Sequence, residues 1–497
     1  MRVGGRARAG RLLVRASATV FAGLLLAVSA WAQETSPASL LSTLEGAVVD
    51  VVAEASPSVV AISQVRKRAP GENLNFEIRP GPLGMPMVPQ RLPGPEDADY
   101  IPTEFATGVV IDRAGLVLTA YHVLRPNSEY FITTNEHKRY RAWIKAADPR
   151  SDLAVLAVEA GHLKPIQLGD AATVRRGQFV VALGNPYAIA RDGQASASWG
   201  IVANLNRKAP PAPDETDSVG KTTLHHFGTL IQTDAKLNLG TSGGALVDLK
   251  GRMIGLTTSL AAVSGFESAA GYAYPVDDTF RRVIDTLRRG REVEYGFLGV
   301  KPDSLSSTEI LGGLHGIRVR HVEPGSRAET FGLKPEDVIT AVNGVPIHDA
   351  DGLVREVGRL PVEASVRLSV LRDKDERIVE VKLSKFPIRG TKIVTDPKPD
   401  WRGLHVEYTT AVVDPDVRKM AGMRFFDDRI VVVDVETDSP AWTAGLRPGN
   451  LITHVGRRAV KTPAEFSSAV GGARGDIRLR ITVFGEREAD EIVVPAS

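Results

Sequence analysis

Cysteine is absent from the 497-residue chain, which excludes thiol nucleophiles, disulfides and cysteine-based metal sites. Aromatic residues are scarce, at 6%, whereas 47 glycines and 31 prolines favour a turn-rich β structure. Charged residues make up 24% of the chain and apolar residues 43%, an ordinary globular composition that excludes a disordered or collagen-like chain. At about 100–200 residues per domain, the length predicts two to four domains.

A strong excess of one charge sign is also lacking. The formal net charge is +2, but five arginines lie within residues 1–32. Without that segment the chain carries 56 basic and 59 acidic residues. Such a balance provides no electrostatic basis for nucleic-acid binding, so no nucleic-acid partner is predicted.

Long apolar runs are lacking except near the N-terminus. Five arginines precede a small, apolar stretch over 18–30, and Ala30-Trp31-Ala32 fits a small-x-small cleavage site. This pattern predicts a cleaved signal peptide at 1–32, a mature chain that begins at Gln33, and a periplasmic or secreted location. The alternative is an uncleaved membrane anchor, although the run is shorter than the roughly 20 residues of a membrane span. Membrane association is expected only in that case.

Short β-branched runs separated by Gly, Asp, Asn and Pro predict a mostly β fold, either a barrel or a sandwich. The predicted strands are 58–63, 108–112, 116–120, 130–133, 141–146, 153–158, 179–183, 200–205 and 253–258. Helical spacing of apolar residues predicts helices over 39–54 and 277–290. The second helix would end the first domain at Gly290.

Two segments lack periodicity. Residues 66–103 contain eight prolines and are predicted to form a long mobile loop. Residues 207–223 are predicted to form a loop of the same kind.

The C-terminal part repeats at an offset of 113 residues, so that Ile317, Ala328 and Ile339 recur as Ile430, Ala441 and Ile452. Two copies predict tandem modules of about 95 residues, each with its own core. The predicted division is a signal peptide at 1–32, a first domain at 40–290, modules at 291–386 and 402–495, and a linker at 387–401.

Three polar residues beside predicted strands combine into one chemical pattern. His122 follows a strand, Asp152 opens a strand, and Ser242 lies in the glycine-rich turn 240–245. The order His, Asp, Ser is typical of chymotrypsin-type enzymes. A serine hydroxyl needs a neighbouring base, an imidazole can be that base near neutral pH, and a carboxylate orients the imidazole. Each residue alone has a common structural explanation, but coincidence does not explain all three together.

Metal and cofactor sites are not predicted. His225 and His226 are adjacent and cannot both point at one ion from a strand, and no His, Asp and Glu cluster has ligand spacing. A pair of loop histidines is the preferred interpretation.

At these residues the chain resembles the Deg/HtrA family of secreted trypsin-like serine proteases with PDZ domains. The resemblance rests on TAYHVL, SDLAVLAV, LGNPY, GIVANLNR, QTDAKLNLGTSGGALVDLKGRMIGLTT and GYAYPVD, and on GLKPEDVITAVNG at 332–344. It implies a chymotrypsin-like double β-barrel followed by two PDZ domains, acting as a serine endopeptidase.

The resemblance also implies roles for individual residues. Ser242 would be the nucleophile, His122 the general base and Asp152 its orienting partner, while the backbone N–H groups of Gly240 and Ser242 would form the oxyanion hole. It further implies a homotrimer or larger assembly, unfolded or misfolded protein substrates, and a small aliphatic residue before the scissile bond. Thr241 stands where the family usually has Asn, and Leu239 where it often has Pro or Arg. We expect activity to survive both, because backbone amides form the hole.

The resemblance assigns loops as well. Residues 66–103 match the family's long N-terminal loop, 207–229 its sensor loop, and 184–195 and 255–263 the loops that shape the active site and specificity pocket.

PDZ domains bind the C-terminus of a peptide with successive backbone N–H groups of one loop. Gly296-Phe297-Leu298-Gly299-Val300 fits that loop in the first module. In the second module, Gly403-Leu404-His405-Val406 has histidine where glycine is expected, so peptide binding and a purely architectural role both remain open there.

Three functions follow from these observations. The leading hypothesis is an extracytoplasmic, ATP-independent endopeptidase for misfolded proteins that is regulated through its PDZ modules. The alternatives are a proteolytically weak chaperone or PDZ scaffold, and a processing protease that cleaves one partner in envelope stress signalling.

Overall fold

In the computed structural model, the described residues are 1, 37–67, 76–79, 88–91, 102, 104–185, 193–209, 223–258, 270–398, 400–420, 429–472, 474–482 and 490–496. They fall into two compact units, Met1–Val51 and Val52–Ser497, and every site discussed below lies in the second. Apart from Met1, the predicted signal peptide lies outside the described residues. Helix α1 (Pro37–Ala55) confirms the helix predicted over 39–54. Within the described residues, no helix combines the length and apolarity needed to cross a membrane.

The first half of the predicted domain 40–290 is a closed barrel. Its six antiparallel strands follow the order β6-β1-β4-β5-β8, and β7 pairs with both β6 and β8 to close the ring. The strands of this half are β1 (Val59–Arg66), β2 (Phe76–Arg79), β3 (Val88–Arg91), β4 (Glu104–Val110), β5 (Leu116–Ala120), β6 (Ser128–Thr133), β7 (Arg139–Asp148) and β8 (Leu153–Val158). Its core contains Ile62, Val117, Ile132 and Leu156, all nearly inaccessible to solvent.

A second closed barrel follows. Strands run in the order β13-β10-β11-β12-β15-β14, and pairing of β13 with β14 closes the ring, while the short β9 adds in parallel to β14. The strands are β9 (Gln167–Leu168), β10 (Phe179–Gly184), β11 (Ser196–Arg207), β12 (Leu230–Thr233), β13 (Ala245–Asp248), β14 (Arg252–Thr258) and β15 (Gly271–Pro275). Val180, Leu246 and Ala273 belong to its core.

Helix α2 (Asp278–Arg288) ends the double barrel. The Asp277 side chain caps it by accepting a hydrogen bond from Phe280 N–H, and the apolar side chains at i, i+3, i+4 and i+7 are buried. Gly290, with φ +77°, follows the helix as predicted.

The two C-terminal modules have the same strand order. It is β17-β18-β19-β21-β22 in the first module and β25-β26-β27-β29-β30 in the second, each with one short strand added. The first module contains β16 (Gly296–Phe297), β17 (Val300–Asp303), α3 (Ser307–Leu311), β18 (Ile317–Val322), α4 (Arg327–Thr330), β19 (Val338–Val342), β20 (Val345–Pro346), α5 (Ala350–Gly358), β21 (Ser365–Arg372), β22 (Asp375–Lys382) and β23 (Ser384–Lys385). The linker and second module contain β24 (Ile393–Val394), β25 (Leu404–Tyr408), α6 (Pro415–Met420), β26 (Ile430–Val435), α7 (Pro440–Thr443), β27 (Leu451–Val455), β28 (Arg458–Ala459), α8 (Pro463–Val470), β29 (Ile477–Thr482) and β30 (Asp490–Val494).

The predicted linker at 387–401 is attached to the first barrel. Its strand β24 pairs antiparallel with Ala146 and Ala147 of β7. The Thr395 hydroxyl donates to the Lys145 carbonyl at 2.8 Å, and the Tyr121 hydroxyl donates to the Thr391 carbonyl at 3.0 Å. The segment therefore connects the modules along a defined path over the barrel.

The predicted mostly β fold is confirmed, and the predicted strands 116–120 and 153–158 coincide with β5 and β8. The segment 66–103 is not one continuous loop, because its residues 76–79 and 88–91 form the antiparallel strand pair β2 and β3. Its other residues, except 66, 67 and 102, lie outside the described residues, as do 210–222 of the second predicted loop.

Candidate active site

The histidine and aspartate are brought together by one pair of antiparallel strands. His122 lies in the 3-10 turn Tyr121–Val123 directly after β5, and Asp152 lies directly before β8. Because Ala120 pairs with Leu153, the end of β5 meets the start of β8. The two side chains therefore meet through sheet register alone.

Asp152 holds the histidine turn with three separate hydrogen bonds. It has a left-handed backbone (φ 54°), which Asp tolerates better than most residues. Its carbonyl accepts the Tyr121 N–H at 2.9 Å, and its Oδ1 accepts the His122 N–H at 2.8 Å. Its Oδ2 lies 2.7 Å from His122 Nδ1. With Nδ1–H donating to the carboxylate, Nε2 is left as the acceptor.

Ser242 approaches from the second barrel. Its Oγ lies 3.1 Å from His122 Nε2, which is hydrogen-bonding distance for transfer of the hydroxyl proton. The glycine-rich turn allows this approach, since a Cβ on Gly243 (φ +85°) would overlap the Thr107 carbonyl oxygen. The structure thus brings His122, Asp152 and Ser242 into one hydrogen-bonded chain.

Thr107 of β4 fixes the serine turn to the first barrel. Its N–H donates to the Ser242 carbonyl at 3.0 Å, and its hydroxyl donates to the Gly240 carbonyl at 2.7 Å. Thr107 itself is fully buried. Sequence reasoning missed this residue, because nothing in a strand threonine signals a contact 133 residues away.

The predicted oxyanion residues lie at the start of this turn. Gly240 has φ +92°, and its N–H has no acceptor within the part of the chain that the structure describes. The Thr241 hydroxyl donates to the Asn238 carbonyl at 2.6 Å, which fixes the turn from inside. The Thr241 side chain therefore stabilises the turn without displacing the backbone amides of Gly240 and Ser242.

The electrostatics of the site keep the Asp152 carboxylate ionised and make the His122 imidazole more basic. Burial alone would lower the pKa of His122, but the charge and hydrogen bond of Asp152 outweigh it, so the pKa is raised above 6.5. Burial would raise the pKa of Asp152, but the charge and hydrogen bond of His122 and a hydrogen bond from Tyr274 lower it.

A cleft of about 400 Å³ opens beside the serine. The lining residues are Ile62, Gln64, Glu104, Phe105, Ala106, His122, Val123, Arg125, Leu239, Gly240 and Ser242. Leu239 is half exposed, so an apolar side chain borders the cleft at the point where the family often has Pro or Arg. The predicted specificity loop 255–263 is described only to residue 258.

Asp152 has a further buried neighbour that the sequence did not indicate. The Tyr274 hydroxyl donates to Asp152 Oδ2, and Tyr274 has no solvent exposure. Its strand, β15, was not predicted, because it begins with Gly271 and ends with Pro275, and both residue types are typical of turns. The family-like segment GYAYPVD contains Tyr274, but it does not indicate a contact with a residue 122 positions away.

The two adjacent histidines lie in the connection between β11 and β12, consistent with the predicted pair of loop histidines. Both are buried in the 3-10 turn Leu224–Phe227. His225 Nε2 lies 2.8 Å from the Ser151 carbonyl, and its Nδ1 lies 2.8 Å from the Thr229 hydroxyl. Across the described ranges, no group of three His, Cys, Asp or Glu side chains could hold a metal ion.

The predicted peptide site of the first module is a small apolar cavity. Residues 296–300 and helix α5 line a space of about 80 Å³. Arg150, from the turn between β7 and β8, also lines it, and its guanidinium carbon lies 3.9 Å from the centre of the Phe386 ring. Burial lowers the pKa of Arg150 to about 10, so the side chain is a cation at neutral pH.

In the second module, the structure shifts the predicted loop. The Glu436 N–H donates to the Gly403 carbonyl at 2.8 Å, just as the Glu323 N–H donates to the Gly299 carbonyl at 3.1 Å. Gly403 therefore corresponds to Gly299, the counterpart loop is 400–403, and Leu404-His405-Val406 begin strand β25. The sequence alignment of Gly403–Val406 with the start of the loop is corrected accordingly.

The counterpart loop is also tied to its own module. The Leu404 N–H donates to the Trp401 carbonyl at 2.9 Å, and the Trp401 ring meets the Phe466 ring of α8 edge-on at 5.7 Å. His405 Nδ1 lies 2.7 Å from Asp400 Oδ1.

Comparison with known families supports this architecture. The trypsin-like peptidase domain matches residues 106–256, and the PDZ domain matches residues 296–383 and 431–483.

Comparison with known proteins identifies relatives that match over most of their length. The chain is 30% identical over 480 residues to the probable periplasmic serine endoprotease DegP-like of Chlamydia trachomatis, covering 92% of this chain and 90% of that protein. It is 29% identical over 382 residues to the periplasmic serine endoprotease DegP of Escherichia coli, covering 76% and 73%. The solved structure of the HtrA-type protease AlgW with tripeptide has the same fold, with a TM-score of 0.50 and 24% identity, covering 68% of this chain and 97% of that one. The chain therefore belongs to the DegP-like periplasmic serine endoproteases, which are serine endopeptidases with a trypsin-like domain and PDZ domains.

Proposed function

We propose that the chain cleaves unfolded or misfolded proteins outside the cytoplasm through a Ser242 acyl-enzyme. The observation that carries the proposal is the continuous contact from Asp152 Oδ2 to His122 Nδ1 and from His122 Nε2 to Ser242 Oγ, at 2.7 and 3.1 Å. The reaction needs no ATP, since the triad alone supplies nucleophile, base and electrostatic support.

The reaction starts with proton transfer from Ser242 Oγ to His122 Nε2 as Oγ attacks the scissile carbonyl carbon. The oxygen of the tetrahedral intermediate is stabilised by the backbone N–H groups of Gly240 and Ser242, each of which is worth about 3–4 kcal/mol in such sites. His122 then gives its proton to the leaving amine, and water repeats the sequence to release the acid. Asp152 stays ionised throughout and stabilises the imidazolium.

The PDZ modules would regulate this activity through peptide binding at the first module. The loop 296–300 and the apolar wall of α5 suit an extended peptide with an apolar C-terminal side chain, and the cation of Arg150 suits its carboxylate. For the second module we favour an architectural role, because part of the counterpart loop is already engaged in contacts within the module. The Trp401 carbonyl accepts the Leu404 N–H, and the Trp401 ring packs against Phe466.

The remaining organisation follows the sequence prediction. We propose cleavage of 1–32 and export of a chain divided into 40–290, 291–386, 387–401 and 402–495, which assembles as a homotrimer or larger oligomer. N-terminal sequencing and sedimentation of the exported protein test these two statements.

Turnover of casein by purified residues 33–497 tests the proposed function. We expect Ser242→Ala to lower the rate by about 10⁴-fold or more. Ser468→Ala, which removes an exposed hydroxyl from α8, should leave the rate unchanged. Equal turnover by Ser242→Ala and the parent would refute the assignment. Absence of turnover in both, together with prevention of casein aggregation, would favour the chaperone or scaffold alternative.

A further inference from the structure

One oxygen of the candidate triad carboxylate receives two side-chain donors. Asp152 Oδ2 lies 2.7 Å from His122 Nδ1 and also accepts the hydroxyl of Tyr274. The other oxygen, Oδ1, accepts the His122 backbone N–H at 2.8 Å. Tyr274 has no solvent exposure, so its hydroxyl is shielded from bulk water.

The tyrosine is held rigidly. Strand β15 pairs on both sides, with β12 and β14, and the Thr258 hydroxyl lies 3.2 Å from the Tyr274 hydroxyl. The His225 ring stacks on the Tyr274 ring, with centres 3.8 Å apart and planes 11° apart. The hydroxyl therefore has little freedom to leave the carboxylate.

His225 supports the ring as a neutral group. Its Nε2–H donates to the Ser151 carbonyl, and its Nδ1 accepts from the Thr229 hydroxyl, so both nitrogens are used in one tautomer. Burial lowers its pKa to about 4. The stack thus adds no charge beside Asp152 at neutral pH.

We propose that Tyr274 is a positioning residue that holds the Asp152 carboxylate and limits the basicity it confers on His122. The Tyr274 donor on Oδ2 draws negative charge away from the hydrogen bond to Nδ1–H of His122. The carboxylate therefore stabilises the imidazolium less than it would if His122 were its only side-chain donor. This inference rests on the proposed function of His122, but its test does not require proteolysis.

The sign of the effect follows directly. Removing the Tyr274 hydroxyl leaves more charge on Oδ2, which strengthens the bond to protonated His122 and raises the pKa of His122. We expect an increase of about 0.5–1 pH unit, part of the 1–3 units that a neighbouring carboxylate exerts. The other titratable or charged groups that face this site are Tyr121, Arg125, Asp148, His225, His226 and Arg359, and the substitution changes none of them.

The chain contains a matched control. Tyr295 is also fully buried, and its hydroxyl donates to the buried carboxylate of Asp148 in the same way. Asp148 accepts no hydrogen bond from His122 among the described contacts; its other donors are the N–H and hydroxyl of Ser151 and the N–H of Arg150. Tyr295→Phe therefore removes an equivalent buried bond without touching the imidazole.

The test is an NMR titration of His122 in the Ser242→Ala protein labelled with ¹⁵N-histidine, with the signal assigned by His122→Gln. We expect Tyr274→Phe to raise the pKa of His122 by about 0.5–1 unit and Tyr295→Phe to leave it within about 0.2 unit. Replacement of Tyr274 by 3,5-difluorotyrosine keeps the shape, strengthens the donor and should lower that pKa, so the sign reverses even if the phenylalanine variant fails to fold. An unchanged pKa with the fluorinated residue, or equal shifts in the two phenylalanine variants, would overturn the role of Tyr274. Inactivity of the parent on casein would instead contradict the proposed function.

Discussion

Replacement of Lys385 by methionine should loosen the two C-terminal modules from each other. The Lys385 side chain is only 2% exposed, and its Nζ lies 2.5 Å from Glu407, 3.1 Å from Glu292 and 3.3 Å from Glu294. These carboxylates come from β25 of the second module and from the segment that joins the double barrel to the first. One buried ammonium thus connects three parts of the chain.

The magnitude follows from the exposure of the partners. Removing one member of a buried ion pair costs about 3–5 kcal/mol, because the other member stays buried and uncompensated. Here the three carboxylates are 16–26% exposed, so water recovers part of the loss. We therefore expect Lys385→Met to destabilise the docked arrangement by about 2–4 kcal/mol.

The neighbouring Lys398 provides the control. Its Nζ also contacts Glu294, at 2.8 Å, but its side chain is 71% exposed. Because exposed pairs contribute less than about 1 kcal/mol, Lys398→Met should have little effect. Hydrogen exchange of the β25 amides compares the two: Lys385→Met should speed exchange about 30- to 1000-fold if undocking limits it. Equal exchange in both variants would refute the reasoning.

Acid should reduce the difference in stability between the Lys385→Met variant and the parent. Burial would raise the pKa values of Glu292 and Glu294, but the charge of Lys385 and its neighbours lowers them below 4.5. Groups with lowered folded pKa values stabilise the protein above the unfolded value and lose that contribution as the pH falls through the folded value. If the stability difference between the variant and the parent became larger below pH 4.5, the ion pairs of Lys385 with Glu292 and Glu294 would not be its cause.

Three further predictions concern the active site and the peptide site. Gly243→Ala should lower kcat/KM on casein at least about 100-fold, because its Cβ would displace the serine turn. The control is Gly177→Ala, at φ +83° with open space around it, which should lower stability but not activity. Equal activities of the two variants would be inconsistent with the turn geometry. The acid limb of kcat/KM should lie above pH 6.5, since the base must be neutral and the pKa of His122 is raised, and a midpoint below 6.5 in a pH–rate profile would count against it. Arg150→Met should reduce the preference of the first module for free-acid over amidated C-terminal peptides about 10-fold, as measured by fluorescence anisotropy, and an unchanged preference would remove Arg150 from the peptide site.

The parts of the fold that sequence could predict are those with local signals. β8 reads LAVLAV and is buried throughout, and α2 carries its cap, its apolar face and its terminal glycine within 14 residues, so both were predicted near their observed bounds. The strands β12, β13 and β15 were not predicted, because each has Gly, Asp or Pro at or next to one end and these residues are typical of turns.

The candidate site shows the same division. His122, Asp152 and Ser242 could be named from residue type, order and neighbouring strands, and the structure brings them together. Thr107 and Tyr274 could not, because their contacts depend on the packing of distant strands. The loop register of the second module was misaligned because Gly403 marks the end of its loop, and the sequence contains no second glycine to mark the start.

Labelling of purified residues 33–497 with a fluorophosphonate probe tests the central claim most directly, because the probe reacts only with a serine that is activated by a base and faces an oxyanion hole. The geometry of Ser242 and His122 predicts labelling of the parent and none of Ser242→Ala, with mass spectrometry placing the adduct on Ser242. An adduct on another serine, or no adduct with or without an unfolded substrate, would contradict the assignment of Ser242 as the nucleophile.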